Sequence, residues 1–342
     1  MAPESHTLER LDRQILHALQ IAPRAPFARI ATVLGVSEQT VARRYQRMRG
    51  NGIVRVTARP QATHRPNGSS WSLRIGCRPG TATALAEALA RRTDTSWISI
   101  GAGGAEITCQ IEIESDRAGL LDHVPRASNV LTFSAYQMLH HFPGRGEIDW
   151  ILPDNDVTAE QRRFLADGAE RHIAKQGDAR LRDADGPLVE ALEHDGRASW
   201  ASLAAATGWS QRQVAHRVGE LVGSGAIYYH LDIADALVGM GSAANLWFTV
   251  APAHLASAGA RLADHAELAF VSAITGTANL MAAARAVDAE ALYRYITTKA
   301  ARIEGIQNVE IVPHVTRLKQ SHSLMVGGLV REPPRAPVTA AR

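Results

Sequence analysis

Apolar residues recur at helical spacing through the first fifty positions of the chain, in three groups at residues 8–19, 27–34 and 41–48. Gly35 is suited to end the second helix, and Ser37 to cap the start of the third. A mostly β-branched run at 53–57 follows an Asn-Gly turn and predicts a strand. The pattern therefore predicts a helix-turn-helix unit of three helices with a strand behind it.

The next part of the chain alternates between strand and helix patterns. Apolar residues with a period of two predict strands at 71–77, 97–100, 107–113 and 130–139. Helical patterns lie between them at 83–92 and 116–124. The order βαββαβ is that of the ferredoxin-like plait, an antiparallel sheet with two helices on one face.

Adding 173 to a position in the first half of the chain repeatedly reaches a like residue in the second half. The matched pairs include Asp12 with Asp185, Arg24 with Arg197, Gly35 with Gly208 and Arg44 with Arg217. One offset that holds over about forty positions indicates a tandem duplication. The sequence thus predicts an α+β protein with two repeats of a winged-type helix-turn-helix followed by a ferredoxin-like βαββαβ domain.

The predicted domains follow this repeat. They are a first helix-turn-helix at 1–60, a first plait at 68–142, a second helix-turn-helix at 183–235 and a second plait at 242–320. Residues 143–182 form a connector with one amphipathic helix at about 159–175. The proline-rich end at 331–342 is expected to be a disordered tail.

Composition narrows the class of protein. With 46% hydrophobic and 21% charged residues in a chain of 342, several packed cores are expected and a wholly disordered chain is excluded. Cys77 and Cys109 are the two cysteines, too few for a disulfide scaffold or a thiolate zinc site. We therefore expect a cytoplasmic protein without a metal, a cofactor, a secretory signal or a membrane segment.

Charge is distributed unevenly along the chain. The net charge is only +3, but residues 1–67 contain eleven arginines against four acidic residues. This local excess of seven positive charges predicts that the first unit binds a polyanion.

The helical unit with Leu11-Asp12, Ile30-Ala31, Gly35-Val36-Ser37 and Arg43-Arg44, followed by a plait, resembles the Lrp/AsnC family of regulators. The resemblance covers nearly the whole chain, twice. It implies an N-terminal helix-turn-helix that binds double-stranded DNA, and a C-terminal plait, the RAM domain. That domain forms homo-oligomers and binds amino acids or other small metabolites. Members are usually half as long, so this chain resembles a covalently linked pair of subunits.

The third helix of the first unit is the candidate recognition helix. The predicted contacts to DNA are Ser37, Gln39, Thr40, Arg43, Arg44 and Arg47. Arginine and glutamine side chains fork onto guanine and adenine edges or hold phosphates. The alternative is a solvated helix face, but such faces usually mix both charges, whereas this one contains only Glu38 at its start.

Further DNA contacts are expected outside this helix. Arg55 and Arg59 on the following strand are candidates for phosphate contacts. In the second unit the candidates are Gln211, Arg212 and Arg217, while Glu220 replaces Arg47. Because residues 186–241 contain three basic and six acidic residues, we expect the first unit to dominate DNA affinity.

The resemblance also places effector contacts at the turn between the second and third strands of each plait. The matching residues are Gly103 and Glu106 in the first plait, and Gly276 and Asn279 in the second. A carboxylate there is suited to accept hydrogen bonds from a ligand ammonium group. The alternative is that these are plain hairpin turns in which glycine permits a positive φ.

Two classes of function fit these patterns. One is a transcriptional regulator that binds DNA and senses an amino acid or related metabolite. The other is an amino-acid-sensing metabolic enzyme or regulatory subunit that does not bind DNA. The excess of arginine in the recognition region favours the regulator, and we expect no catalytic residues.

Overall fold

A computed structural model describes residues 8–61, 68–113, 119–144, 157–167 and 179–333. In the first half the helices are α1 (Arg10–Ile21), α2 (Phe27–Leu34), α3 (Glu38–Gly50), α4 (Ala82–Ala90), α5 (Gly119–His123) and α6 (Ala159–Ala166). The strands are β1 (Val54–Pro60), β2 (Ser69–Cys77), β3 (Thr95–Gly101), β4 (Glu106–Ile113) and β5 (Val130–His141).

The second half repeats this order. Its helices are α7 (Gly186–His194), α8 (Trp200–Thr207), α9 (Gln211–Gly223), α10 (Leu255–Ala263) and α11 (Ala289–Thr298). Its strands are β6 (Ile227–Ile233), β7 (Ser242–Val250), β8 (Leu268–Ile274), β9 (Leu280–Ala286) and β10 (Ile306–Lys319). A short hairpin follows, with β11 (Leu324–Val326) and β12 (Leu329–Arg331).

Local sequence explains the tight turn of each helix-turn-helix. Gly35 ends α2 with φ 66°, a left-handed conformation that glycine adopts without steric cost. Ser37 caps α3, and its side chain accepts a hydrogen bond of 3.1 Å from the Thr40 backbone N–H. Val41 and Met48 are buried on the inner face of α3, as their spacing predicts.

The two plaits join into one closed sheet. Their strand orders are β5-β2-β4-β3 and β10-β7-β9-β8, which are equivalent under the repeat. The last strand of each plait pairs with the second strand of the other, β5 with β8 and β10 with β3. An eight-stranded ring results, and the helices pack against the apolar faces of the strands.

The helix-turn-helix units pair about a pseudo-twofold axis. β1 and β6 form an antiparallel ladder in which Thr57 lies opposite His230. These residues are equivalent under the offset of 173, so the ladder is centred on the axis. The strand predicted after each helical unit therefore pairs with its own counterpart from the other repeat.

The structure departs from the sequence predictions at three places. The connector helix α6 ends at Ala166, and residues 168–178 lie outside the described part, as do residues 116–118 at the start of another predicted helix. In the second plait the helical pattern at 289–303 predicts one helix, but α11 ends at Thr298 and a 3-10 turn follows. The β11–β12 hairpin was not predicted, although Gly327-Gly328 between the apolar residues 324–326 and 329–330 is a hairpin signal.

Arg331 ends a strand of this hairpin, so the predicted tail does not begin there, and residues from 334 onward lie outside the described part. Cys77 and Cys109 are buried free thiols in the core of the first plait. None of the described helices is long and apolar enough to cross a bilayer.

Candidate nucleic-acid interface and effector site

The outer face of α3 presents three polar side chains. Gln39, Arg43 and Gln46 are exposed at helical spacing, on the side opposite the buried Val41 and Met48. Within the described residues no carboxylate pairs with Arg43. This face is therefore available to an external partner.

Ser37 and Thr40 have a local structural role. Besides the cap to the backbone, the two hydroxyl oxygens lie 2.8 Å apart. They hold the first turn of α3, and both hydroxyl groups are already engaged with each other.

Arg44 and Arg47 are bound to a buried carboxylate. The Asp12 carboxylate accepts hydrogen bonds from Arg44 Nη1 at 3.0 Å and from Arg47 Nη2 at 2.6 Å. Arg44 also lies 2.8 Å from Glu9. The prediction that Arg44 is a free DNA contact is corrected, because its guanidinium fixes α3 to α1. Arg47 keeps half of its side chain exposed and stays a predicted contact.

The second unit repeats this contact. Arg217 donates to the Asp185 carboxylate at 2.8 and 2.7 Å and to the Arg180 carbonyl at 2.9 Å. Burial of Asp185 opposes ionisation, but the hydrogen bonds from Arg217 and from the Arg182 backbone N–H, together with the charges of these two arginines, outweigh it and lower the pKa of the carboxyl group. Arg217 is itself buried, so its predicted DNA contact is corrected in the same way.

The remaining outer face of α9 differs from that of α3. Gln211 and Arg212 are exposed, as is His216. Glu220 lies 3.0 Å from Arg217 Nη1 and 3.5 Å from His216 Nε2. The hydrogen bond from Arg217 lowers the pKa of Glu220, so this carboxylate is ionised and internally paired.

The two strand arginines do not reach the surface. Arg55 is 4% exposed and donates to the His194 carbonyl, and Arg59 is 3% exposed and donates to the Ser321 carbonyl. The predicted phosphate contacts of Arg55 and Arg59 are therefore wrong: both side chains join β1 to other parts of the chain.

Arginines also hold the two units together across the pseudo-twofold axis. Arg24 donates to the carbonyls of Gly196 and Ala198 at 2.6 and 3.0 Å, and it lies 4.3 Å from the Trp200 ring centre. Arg197 makes the reciprocal contacts, with the carbonyls of Pro23 and Ala25 and with the Phe27 ring at 4.4 Å. Much of the positive charge in the first unit therefore stabilises the pair, which reduces the charge free for a polyanion.

The predicted effector turns are glycine turns. Gly103 and Gly104 have φ 69° and 92° between β3 and β4, and Gly276 has φ 106° between β8 and β9. A Cβ on Gly276 would lie 2.8 Å from the Tyr136 ring, so this turn requires glycine for space as well as for conformation.

Glu106 is paired with an arginine that was not among the predicted site residues. Arg74 on β2 donates to Glu106 at 3.0 and 2.9 Å, and to Glu310 on β10 at 2.7 and 2.6 Å. The hydrogen bonds with Glu310, joined by those with Glu106, raise the pKa of Arg74 above its usual value. The expectation of a free carboxylate at Glu106 is corrected. The group is a charged cluster that spans both plaits.

The axis passes close to this cluster. The Arg74 guanidinium lies 5.1 Å from the Trp247 ring centre, and Trp247 is the equivalent of Arg74 under the offset of 173. One repeat thus supplies a cation and the other an aromatic ring.

Asn279, the equivalent of Glu106, is bound elsewhere. Its amide accepts from the Val250 N–H at 2.9 Å and donates to the Val250 carbonyl at 2.8 Å. The side chain connects the β8–β9 turn to the end of β7, so the expectation that it is free for a ligand is corrected. The two sites therefore differ chemically.

Comparison with known proteins identifies the modules of the chain. A model of the AsnC-type helix-turn-helix domain matches residues 8–49 and 183–222, and a model of the Lrp/AsnC ligand binding domain matches residues 244–324. An uncharacterised HTH-type transcriptional regulator of Pyrococcus furiosus is 32% identical over 114 residues, which span 32% of this chain and 75% of that regulator. The chain belongs to the Lrp/AsnC family.

The tandem Lrp/AsnC arrangement has a solved counterpart. The crystal structure of the siroheme decarboxylase NirDL covers 91% of this chain and 93% of its own, with a TM-score of 0.58 and 12% identity. The same decarboxylase in co-complex with an iron-uroporphyrin III analogue covers 95% of this chain and 94% of its own, with a TM-score of 0.57 and 12% identity. At this identity the likeness is one of fold.

The model of the Lrp/AsnC ligand binding domain matches the second plait, and the first plait has the same strand order. The residues that distinguish the first plait include Arg74. Its signal in the sequence is a lone charge on the alternate face of a strand whose Leu73 and Ile75 are buried.

Proposed function

We propose that this Lrp/AsnC protein is a DNA-binding transcriptional regulator that contacts duplex DNA mainly through the outer face of α3. The observation that carries the proposal is the exposed row of Gln39, Arg43 and Gln46 on a capped helix of the AsnC type. These side chains are suited to base edges and phosphates in a major groove. Arg44 serves this contact indirectly because it fixes α3 to α1.

The test is binding of the intact chain to duplexes from the DNA next to its own gene, measured against an excess of unrelated duplex. The parent is expected to retain a specific complex, and Arg43→Ala to weaken it by about tenfold, the effect of losing about 1.4 kcal/mol. Arg294→Ala, on the exposed side of α11, is the matched control for loss of one positive charge. Equal affinity of Arg43→Ala and the parent would contradict the assignment.

We also propose that the plaits sense a small molecule, an amino acid or a related metabolite. The charged cluster of Arg74, Glu106 and Glu310 supports this, because it offers a cation for a ligand carboxylate and carboxylates for a ligand ammonium group. Arg74 and Glu106 keep 18% and 17% of their side chains exposed. On binding, the carboxylate and ammonium groups of the ligand would replace ion pairs that the residues of this cluster make with one another in the free protein.

A thermal-shift series with amino acids tests this proposal. A ligand that binds only the native state raises the unfolding temperature by mass action. The shift should vanish in Arg74→Gln and persist in Arg126→Gln, an exposed arginine of the same plait. An equal shift in both variants would place the ligand elsewhere.

Catalysis is the second candidate, and the whole-chain likeness to the siroheme decarboxylase NirDL is the observation that favours it. We propose that this chain binds DNA and does not decarboxylate a tetrapyrrole. Anaerobic incubation with siroheme, followed by mass analysis of the pigment, separates the two. Loss of carbon dioxide from siroheme, together with no specific DNA complex, would reverse the proposal.

A further inference from the structure

We infer that the operator of this protein is a non-palindromic pair of inverted half-sites, read by the two different recognition helices of a single chain. The inference rests on the proposed DNA binding and adds which kind of duplex is recognised. It follows from comparing α3 with α9 position by position in the structure.

Positions that build the scaffold are alike in the two helices. Ser37 and Ser210 cap them, and each cap accepts from the backbone N–H three residues on, at 3.1 and 3.3 Å. The equivalent arginines Arg44 and Arg217 bind the equivalent carboxylates of Asp12 and Asp185. Buried apolar positions also match, Val41 with Val214 and Met48 with Leu221. The two helices are therefore seated in the same way.

Outer positions differ throughout. Under the offset of 173, the residues that change are Glu38 to Gln211 at the start of the helix and, after it, Gln39 to Arg212, Thr40 to Gln213, Arg43 to His216, Gln46 to Gly219 and Arg47 to Glu220. No exposed position from 38 to 47 has the same residue in both units. The two helices are thus held in their units by equivalent contacts, but their exposed side chains differ. They therefore present different chemical groups at equivalent positions.

Different outer faces favour different bases. Glutamine and arginine on α3 suit adenine and guanine edges, at Gln39, Gln46 and Arg43. On α9, Arg212 suits guanine, and Glu220 is an acceptor suited to the cytosine amino group. Because Glu220 is paired with Arg217, its repulsion of phosphate is partly offset, so α9 can approach DNA.

The pseudo-twofold axis sets the orientation of the two half-sites. The β1–β6 ladder is centred on Thr57 and His230, and Arg24 and Arg197 make reciprocal contacts across it. Helices related by a twofold axis meet DNA in opposite directions, so the half-sites are inverted relative to each other. A symmetric dimer would require both half-sites to be alike, whereas this chain has no such requirement.

The test is selection of binding sites by the full chain from duplexes with a randomised central region. A matched variant carries the α3 face on α9: Arg212→Gln, Gln213→Thr, His216→Arg, Gly219→Gln and Glu220→Arg. The changed positions are exposed, and a Cβ on Gly219 meets nothing within 4 Å. Gln213 and Glu220 lose their hydrogen bonds with Ser210 and Arg217, but the equivalent Thr40 and Arg47 of α3 contact Ser37 and Asp12. The fold should therefore be kept, which thermal unfolding checks.

The parent should enrich two inverted half-sites of different sequence. The variant should enrich a palindrome that repeats the half-site retained from α3, with at least a tenfold preference over the parent's operator. A palindrome selected by the parent, or a second half-site without sequence preference, would overturn the inference and leave DNA binding intact. Absence of any enriched duplex would instead overturn the proposed function on which the inference rests.

Discussion

The two helix-turn-helix units have equivalent buried and capping residues but different exposed residues. Both have a capped third helix, and both fix that helix with an arginine to a buried aspartate on the first helical segment. Outside, α3 presents Gln39 and Arg43, whereas α9 presents Arg212 and His216 beside a paired Glu220. The comparison shows that some arginines of this fold are held by buried carboxylates, whereas others, such as Arg43 and Arg212, are exposed on the third helix of their unit.

The largest expected effect concerns the buried ion pairs. Asp185→Ala leaves the buried Arg217 without its main partner and should lower the free energy of unfolding by about 3–5 kcal/mol. Asp12→Ala should cost less, about 1–3 kcal/mol, because the side chains of Arg44 and Arg47 are 17% and 50% exposed, whereas that of Arg217 is 8% exposed. Urea unfolding of both variants measures the difference. A larger loss for Asp12→Ala would contradict the ranking of the two pairs.

A second difference lies on the axis, where Thr57 faces His230. Burial, aided by Arg285 and Arg59 and opposed by Asp232, lowers the pKa of His230 to about 4 from 6.5. The folded protein then binds fewer protons than the unfolded chain at this site, so stability is lost as pH falls from about 6.5 towards 4. Each such site contributes a slope of up to about 1.4 kcal/mol per pH unit.

Replacing this histidine by its counterpart tests the assignment. His230→Thr should reduce the pH slope of unfolding free energy between pH 6 and 4.5. His322, whose pKa burial lowers to about 4, should contribute to the slope that remains, as should His314 and His265, whose pKa values burial also lowers. Free energies of unfolding at several pH values give the slopes. A slope that is unchanged in the variant would show that His230 does not titrate in this range.

The smallest expected difference concerns the reciprocal arginines. Arg24→Ala and Arg197→Ala each remove two hydrogen bonds to carbonyls and two contacts with aromatic rings of the other unit. Their costs should therefore agree to within about 0.5 kcal/mol. Chemical unfolding of the two variants provides the comparison. If the two variants lose clearly different amounts of unfolding free energy, the two sets of contacts do not contribute equally to the pairing of the units.

Much of the fold could be predicted because each sequence pattern occurs twice, once in each repeat. The turn at Gly35, the cap at Ser37 and the buried face of α3 follow from local residue preferences. The βαββαβ order follows from the change between periods of two and 3.6. Closure of the eight strands into a ring could not be predicted, because it depends on pairing between residues far apart in sequence, such as Gly101 with His314.

The site was harder to predict because the sequence shows which residues are charged but not which residues they pair with. Arg44, Arg55 and Arg59 looked like DNA contacts and are held by carboxylates or carbonyls of distant segments. One signal was present: Asp12 and Arg44 recur together as Asp185 and Arg217. A charge pair kept at the same spacing in two repeats, while the residues around it change, indicates a structural ion pair.

In the proposed complex α3 carries most of the DNA contact and α9 adds less. The direct test compares Gln39→Ala/Arg43→Ala/Gln46→Ala with Arg212→Ala/His216→Ala, whose third position is already Gly219. Affinity for one operator duplex is measured at one salt concentration. The first variant should lose about 100-fold in affinity, equivalent to about 2.7 kcal/mol, and the second less than about tenfold. An equal loss in both variants, or a greater loss from α9, would contradict the claim.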